Sequence, residues 1–184
     1  MKLLAKGKVK EVYEVSDTEL EFVFTDHISV FDKVIPSLVP HKGETLCRTS
    51  AHWFQAVEKA GIRTHFLRVS DGNRMRVRRV QVIHDYSKLS PKTRNYLIPL
   101  EVIARYYVAG SLHDRMKEGR VRPEDAGFPK GHVPVYGEPL PEPFLETTTK
   151  LEKVDRELTR DEAIRISGLT LEEYDDLLAA VLKN

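Results

Sequence analysis

The most informative stretch of the chain is residues 98–111, which read IPLEVIARYYVAGS. The hydrophobic residues within 99–108 are typical of a β-strand, and residues 111–117 are predicted to form a short helix. Because side chains alternate between the two faces of a strand, Glu101 and Arg105 are expected on the same face. The stretch therefore predicts a strand that leads directly into the first turn of a helix.

The junction between this strand and this helix is typical of an anion-binding site. Gly110 allows the backbone to approach an anion, and Ser111 offers a hydroxyl group and an amide at the positive end of the helix dipole. Arg105 adds a planar guanidinium group suited to a carboxylate or a phosphate. The alternative is an ion pair between Glu101 and Arg105 on an edge strand.

The residues before this stretch predict two β-hairpins and a helix. Residues 9–15 and 20–25 form the first hairpin, and residues 62–69 and 75–83 form the second. Between the hairpins, apolar residues at helical spacing predict a helix over residues 44–60. This part of the chain is therefore expected to fold around an antiparallel sheet.

The residues after the central stretch predict a long loop followed by two helices. Residues 127–143 are rich in proline and glycine and are predicted to be mostly loop. Thr159 with Glu162, and Thr170 with Glu173, have the spacing of capping boxes at helix starts. Strands early in the chain and helices late favour an α+β fold, which we divide into two lobes. The predicted lobes are residues 1–90 and residues 91–184.

Composition and charge restrict the class of protein. The chain has 184 residues, of which 41% are hydrophobic and 31% charged, and its formal net charge is +1. This balance is that of a globular protein and gives no reason to expect a nucleic-acid or membrane partner. The single cysteine, Cys47, excludes an internal disulfide, and the first residues lack the apolar run of a signal peptide, so a cytoplasmic location is expected. The histidines have no zinc-site spacing.

A glycine and two lysines at the start of the first hairpin predict a phosphate site. Lys8 and Lys10 are two residues apart and are expected on one face of the strand, next to Gly7. A lysine bond to a phosphate oxygen contributes about 1.5–3 kcal/mol, so two such bonds would orient a nucleotide. Alternating lysines are also typical of a solvated strand face, which is the competing interpretation.

An acidic segment, residues 26–32, also has two interpretations. Asp26 and Asp32 lie on either side of Ser29 and Phe31, and their carboxylates could bind magnesium or a substrate amine. The same residues could form a turn with an aspartate cap and a core phenylalanine.

Residues 98–111 resemble the signature of the succinocarboxamide synthases of purine biosynthesis, the SAICAR synthetase family. The signature is a hydrophobic-Pro-Leu-Glu strand, an arginine and then Ala-Gly-Ser. Further segments resemble the same family in the same order, namely residues 7–13, 26–32, 42–44, 62–66, 140–143 and 149–152. The resemblance implies an α+β fold with a kinase-like antiparallel N-terminal lobe, ATP between the lobes and magnesium on its phosphates.

The resemblance also implies a reaction and a set of residue roles. ATP would phosphorylate the carboxylate of carboxyaminoimidazole ribonucleotide, and the amine of L-aspartate would displace the phosphate to give the succinocarboxamide ribonucleotide and ADP. No metal ligand is assigned. The residues implied for catalysis are Lys10, Asp32 and Lys150, those for ATP are Gly7, Lys8 and Lys10, and those for the substrates are Arg105, Gly110, Ser111, Lys150 and Asp155.

Members of the family usually continue into a later strand, Asp-x-Lys-x-Glu-Phe-Gly, that this sequence does not contain. We therefore expect slow turnover by this chain alone, and either a homo-oligomer or a complementing C-terminal chain. The competing functions are a nucleotide-binding module without catalysis and one part of a two-chain synthase. Binding of nucleic acid through the arginines of residues 74–79 is disfavoured, because no aromatic stacking pattern accompanies them.

Overall fold

A computed structural model describes residues 1–31 and 33–183 of the chain. Its contacts divide the chain into two compact units, Met1–Gln81 and Val82–Asn184, whereas the sequence predicted the division after residue 90. Within the described residues, no helix is both long enough and apolar enough to cross a membrane. Each unit has a hydrophobic core of its own.

The first unit consists of a five-stranded antiparallel sheet, a separate two-stranded hairpin and one helix. Its elements are β1 (Lys2–Lys6), β2 (Lys10–Glu14), β3 (Glu19–Phe24), β4 (His27–Val30), β5 (Lys33–Leu38), α1 (Lys42–Lys59), β6 (Phe66–Asp71) and β7 (Arg74–Arg78). The large sheet has the order β1-β2-β3-β7-β6, and β4 pairs with β5. The predicted helix and both predicted hairpins are confirmed, and β1 adds an edge strand that was not predicted.

The core of the first unit lies between the large sheet and α1. Leu20, Phe22 and Phe24 alternate along β3 and therefore share one face of the sheet. They pack against a buried cluster that includes Cys47 of α1 and Met75 of β7, both of which have no exposed surface. Burial of these side chains is the main force that holds the helix on the sheet.

The start of α1 packs closely against the end of β3 because residue 43 is glycine. A Cβ atom at this position would lie only 2.4 Å from the carbonyl oxygen of Phe24. The Gly43 amide donates a hydrogen bond to Oδ1 of Asp26 at 2.9 Å, so Asp26 does act as an aspartate cap. The expected core position of Phe31 is wrong, since this side chain is 96% exposed at the turn between β4 and β5. Asp32 lies outside the described residues.

The other face of the large sheet contains a buried carboxylate. Glu21 is only 2% exposed and accepts hydrogen bonds from Arg74 at 2.8 Å, Arg76 at 2.9 Å and Ser70 at 2.9 Å. Burial alone would raise the pKa of Glu21, but the bonds from Arg74, Ser70 and Arg76 outweigh it and lower the pKa. Two of the β7 arginines therefore neutralise an acid on the neighbouring strand.

The second unit is built around one long antiparallel strand pair. Its elements are a 3₁₀ helix (Tyr86–Lys88), β8 (Leu100–Tyr107), α2 (Gly110–Lys117), a second 3₁₀ helix (Pro123–Ala126), β9 (Pro139–Thr149), α3 (Arg160–Ser167) and α4 (Leu171–Lys183). The predicted strand–helix junction is confirmed, as is the α+β fold class.

The loop predicted over residues 127–143 is wrong at its C-terminal end, where β9 begins at Pro139 and pairs with β8. The prolines at 139, 141 and 143 occupy alternate positions. A strand of a two-stranded sheet has one unpaired edge, and proline is tolerated where the missing N–H would point to that edge. Proline content alone is therefore a poor indicator of loop here.

Both predicted helix starts near the end of the chain are confirmed. The Thr159 hydroxyl accepts from the Glu162 amide at 3.3 Å. Thr170 and Glu173 form a reciprocal capping box, with side chain to amide distances of 3.1 and 2.8 Å.

Candidate functional site

A cavity of about 660 Å³ lies beside the turn between β1 and β2 in the first unit. Gly7, Lys8 and Lys10 all line it, so the structure brings together the three residues predicted to bind ATP. The Gly7 amide donates to the carbonyl oxygen of Lys10 at 2.8 Å and closes the turn. A Cβ atom at position 7 would lie 3.1 Å from the same oxygen, so this tight turn favours glycine.

The ammonium group of Lys10 lies against an aromatic surface. Its Nζ atom is 4.2 Å from the ring centroid of Phe22 and 5.9 Å from that of Phe24. The resulting burial lowers the pKa of Lys10. A solvated strand face therefore does not describe Lys10, which lies on the core side of the sheet.

The expected alternation of two lysines along one strand is wrong. The strand β2 begins at Lys10, and Lys8 belongs to the turn before it. The two residues nevertheless line one cavity, because the turn folds back beside the strand. Proximity of the two lysines thus comes from the turn and not from strand periodicity.

A second cavity, of about 440 Å³, lies in the second unit between α2 and the β8–β9 pair. Arg105, Ser111 and Asp155 line it, which brings together three of the predicted substrate residues. Lys150 is not one of the lining residues, but its Nζ atom lies 3.2 Å from Oε1 of Glu101, which is one of them. The cavity therefore combines a guanidinium group, a hydroxyl group and several carboxylates.

Arg105 is held by two partners within this cavity. Its Nη2 atom donates to Oγ of Ser111 at 3.0 Å, and its Nε atom donates to Oε2 of Glu146. The alternative ion pair between Glu101 and Arg105 is therefore wrong, because Glu101 pairs with Lys150 instead. Arg105 links the strand to the first turn of the helix, a contact that was not predicted from the sequence.

Gly110 begins α2 with a positive φ of 53°, a conformation that favours glycine. A Cβ atom at this position would meet no described atom within 4 Å, so the space beside the backbone is open. The residue before it, Ala109, provides no side-chain hydrogen bond to cap the helix. Within the described residues, Ala109 thus leaves the start of α2, where the positive end of the helix dipole lies, without a side-chain cap.

Six charged residues of the cavity lining were not predicted from the sequence, namely Asp114, Arg115, Glu118, Arg120, Glu146 and Glu157. Arg115 is 6% exposed and donates to both Glu146 and Glu157. Burial alone would lower the pKa of Arg115, but the bonds to the two carboxylates raise it. Helical spacing could have indicated Arg115, which lies one turn after Ser111. Glu146 lies on β9, and Glu157 is brought to the cavity by an isolated β-bridge to Thr148. No local sequence pattern indicates either position.

The cavity also contains a hydroxyl group that lacks a partner in the described part of the chain. Oγ1 of Thr148 is buried and makes no hydrogen bond there. Buried polar atoms are nearly always satisfied, so this enclosed hydroxyl is unusual among the described residues.

The described residues contain no group of three or more His, Cys, Asp or Glu side chains that could hold a metal ion. A site for magnesium built from protein ligands alone is therefore not present within residues 1–31 and 33–183. The role expected for Asp32 is untested, because this residue lies outside those ranges.

Known proteins of one family are similar to this chain in sequence and in fold. The sequence model of the SAICAR synthetase family matches residues 3–183. The phosphoribosylaminoimidazole-succinocarboxamide synthase of Thermoplasma volcanium is 55% identical over 183 residues, which are 100% of this chain and 60% of that protein.

Two solved structures are similar over almost the whole chain. A SAICAR synthetase (Type-2) in complex with ADP is 28% identical with a TM-score of 0.68, and the match covers 99% of this chain and 64% of the other. The SAICAR synthase of Saccharomyces cerevisiae in complex with SAICAR is 26% identical with a TM-score of 0.70, covering 98% and 60%. This chain spans about 60% of the length of curated relatives that it matches. The chain belongs to the SAICAR synthetase family.

Proposed function

We propose that this chain takes part in the ATP-dependent ligation of L-aspartate to carboxyaminoimidazole ribonucleotide. The products are the succinocarboxamide ribonucleotide, ADP and phosphate. The proposal extends to this chain the activity named for relatives of whose length it spans about 60%. The observation that carries it is the contact between Arg105 and Ser111 at the open start of α2.

The second-unit cavity is proposed as the ribonucleotide site. A guanidinium group has five N–H donors, and Arg105 uses two of its nitrogen atoms on Glu146 and Ser111. The remaining donors of Arg105 and the amides at the start of α2 suit an anionic group with several acceptor oxygens. The yeast relative was solved in complex with SAICAR, which supports a ribonucleotide ligand in this family.

Lys150 and Asp155 are proposed as further substrate contacts near the same cavity. Lys150 offers an ammonium group that is held beside Glu101, and Asp155 offers a carboxylate in the lining. Paired opposite charges are suited to a zwitterion such as aspartate. The phosphorylated carboxylate needs neutralisation by cations and no covalent nucleophile, which fits the residues present.

The first-unit cavity is proposed as the site of the ATP phosphates. Gly7, Lys8 and Lys10 would hold them, and ATP supplies the γ-phosphate that activates the ribonucleotide carboxylate. Lys10 already lies against Phe22 and has lost part of its hydration, so binding of a phosphate costs it less dehydration than it would cost a fully solvated lysine. The complex of a family member with ADP supports a nucleotide ligand. Magnesium is a proposed companion of the phosphates.

The proposed partners are small molecules, together with either a second copy of the chain or a complementing chain. A cytoplasmic location is proposed as well. It is supported by Cys47, which is buried and forms no disulfide.

One binding measurement and one activity measurement test the proposal. Calorimetry with ATP should show an affinity loss of about 1.5–3 kcal/mol in Lys10→Ala, whereas Lys2→Ala, an exposed lysine of β1, should bind as the wild type does. Unchanged ATP affinity in Lys10→Ala would show that the ATP phosphates do not bind in the first-unit cavity.

The activity measurement follows succinocarboxamide ribonucleotide formation with ATP, aspartate and carboxyaminoimidazole ribonucleotide. Product should form with all three substrates and stop when any one is omitted. The reaction is run with the chain alone and with the separately produced remainder of a family relative. Binding of ATP and ribonucleotide without product under both conditions would instead identify a nucleotide-binding module without catalysis.

A further inference from the structure

We propose that Glu146 and Arg115 are positioning residues that hold Arg105 in the orientation needed for its anionic ligand. The inference rests on the proposed function, in which Arg105 binds the ribonucleotide. Neither residue is required to touch the ligand. Their effect is exerted through the guanidinium group of Arg105 and the first turn of α2.

Four side chains and one carbonyl group form a closed hydrogen-bonded ring. Both oxygens of Glu146 are used, Oε2 by Nε of Arg105 and Oε1 by Nη2 of Arg115. Nε of Arg115 then donates to the carbonyl oxygen of Ser111 at 3.2 Å, and Oγ of Ser111 accepts from Nη2 of Arg105 at 3.0 Å. The ring therefore connects β8, β9 and the start of α2, and a rotation of Arg105 breaks two of its bonds.

The position of Glu146 on β9 explains why it can bridge the two arginines. Glu146 is directly opposite Ile103 in the strand pair, so it shares a face with Arg105, two residues further along β8. Diagonal neighbours across antiparallel strands are within reach of long side chains. Arg115 reaches the same carboxylate from α2, one helical turn after Ser111.

Burial distinguishes Glu146 from the second acid that contacts Arg115. The side chain of Glu146 is 9% exposed, whereas that of Glu157 is 60% exposed. Solvent weakens the Glu157 ion pair far more than it weakens the bonds of Glu146. We therefore assign the positioning role to Glu146 and expect a smaller effect from Glu157.

The ring orders Arg105 and does not supply excess charge. Glu146 is shared by the two guanidinium groups, and Glu157 provides a second carboxylate to Arg115, so two positive charges are matched by two negative ones. The bonds to Nε and Nη2 fix the plane of the remaining donors of Arg105. A side chain that is fixed before binding loses less conformational freedom when the ligand arrives.

A double-mutant cycle on the whole chain tests this role by calorimetry with carboxyaminoimidazole ribonucleotide. The Glu146→Gln side chain keeps its size but has only one acceptor oxygen, so one arginine loses its partner. We expect its affinity to fall on the order of tenfold in the wild-type background and less than about twofold in the Arg105→Lys background. Glu142→Gln, an exposed glutamate on the same strand, is the matched control and should bind as the wild type does.

Two outcomes would overturn the inference. The first is a Glu146→Gln protein that unfolds more easily but binds the ribonucleotide with wild-type affinity, which would show a purely structural role. The second is an equal loss in both backgrounds, which would show that Glu146 does not act through Arg105. If Glu146→Gln does not fold, Glu146→Asp replaces it, because the shorter carboxylate cannot reach both arginines, and a loss of affinity that disappears in the Arg105→Lys background is expected.

A measurement without ligand separates this inference from the proposed function. In the free protein, the Nε–H signal of Arg105 in nitrogen-15 NMR should exchange slowly with water and should exchange faster in Glu146→Gln. If the wild-type chain does not bind the ribonucleotide, the proposed function is wrong. Equal exchange rates in the two proteins would overturn the positioning role whatever the outcome of the binding experiment.

Discussion

Replacement of Arg105 by lysine should weaken ribonucleotide binding strongly although it keeps the charge. The guanidinium group bonds simultaneously to Ser111 at 3.0 Å and to Glu146, and it has donors left for a ligand. A lysine has one nitrogen atom, which cannot serve two protein acceptors and an anion in one plane. We expect the variant to lose at least one charge-assisted bond, or about 1.5–3 kcal/mol. At about 1.4 kcal/mol per factor of ten, the affinity should fall between about tenfold and about a hundredfold.

Calorimetry with carboxyaminoimidazole ribonucleotide and, separately, with ATP measures this effect. Arg165→Lys is the matched control, because the Arg165 side chain is 76% exposed on α3 and lies 3.8 Å from its nearest acid. Ribonucleotide affinity should fall in Arg105→Lys only, and ATP affinity should stay unchanged in both variants. An Arg105→Lys protein that loses ATP but retains the ribonucleotide would show that the second-unit cavity has been assigned to the wrong ligand.

Three further predictions concern pH and stability. Because burial lowers the pKa of Lys10, its ammonium group loses its proton at a pH below the usual 10.5. As the buffer is made more alkaline, the affinity for ATP should therefore fall at a lower pH than the affinity of Arg105 for the ribonucleotide. Calorimetry at a series of pH values measures both affinities. Glu21→Gln should lower the free energy of unfolding by roughly 1–3 kcal/mol in urea. The folded-state pKa of Glu21 is lowered, so its contribution to the free energy of unfolding is complete above the usual pKa of 4.5 and is lost as the pH falls through the lowered value. On acidification, the Glu21→Gln protein should therefore lose less stability than the wild type does. Gly43→Ala should cost about 1–3 kcal/mol in the same urea experiment, because its Cβ atom would lie 2.4 Å from the Phe24 oxygen; wild-type stability would contradict the packing described for α1.

The elements that the sequence predicted are those with local signals. Capping boxes at Thr159 and Thr170 fix two helix starts, and alternation along β3 and β7 identifies the strands of the large sheet. The strand β1 lacks such a signal, since all of its residues are exposed and no apolar alternation marks it. It exists because β2 offers an unpaired edge, which is a property of the folded sheet and not of residues 2–6.

The candidate site shows the same division between local and long-range information. Gly110 and Ser111 could be predicted from residues 98–111, because their roles depend on the start of the helix that follows. Lys8 and Lys10 were grouped correctly but for the wrong reason, as the turn and not the strand brings them together. Asp32 stays a prediction, since it lies outside the described residues.

The two proposed anion sites keep a cation ready for phosphate in physically different ways. Lys10 is dehydrated on the aromatic surface of Phe22, which keeps its charge available but lowers its pKa. Arg105 is fixed by a carboxylate that it shares with Arg115, and its charge is retained at any pH because guanidinium does not lose its proton in proteins. The first arrangement can be recognised from neighbouring strand residues, whereas the second requires Glu146, which is 41 residues away from Arg105 in sequence. A carboxylate beside an arginine proposed to bind substrate therefore need not weaken the site, because Glu146 fixes the orientation of Arg105 while donors of its guanidinium group stay available to a ligand.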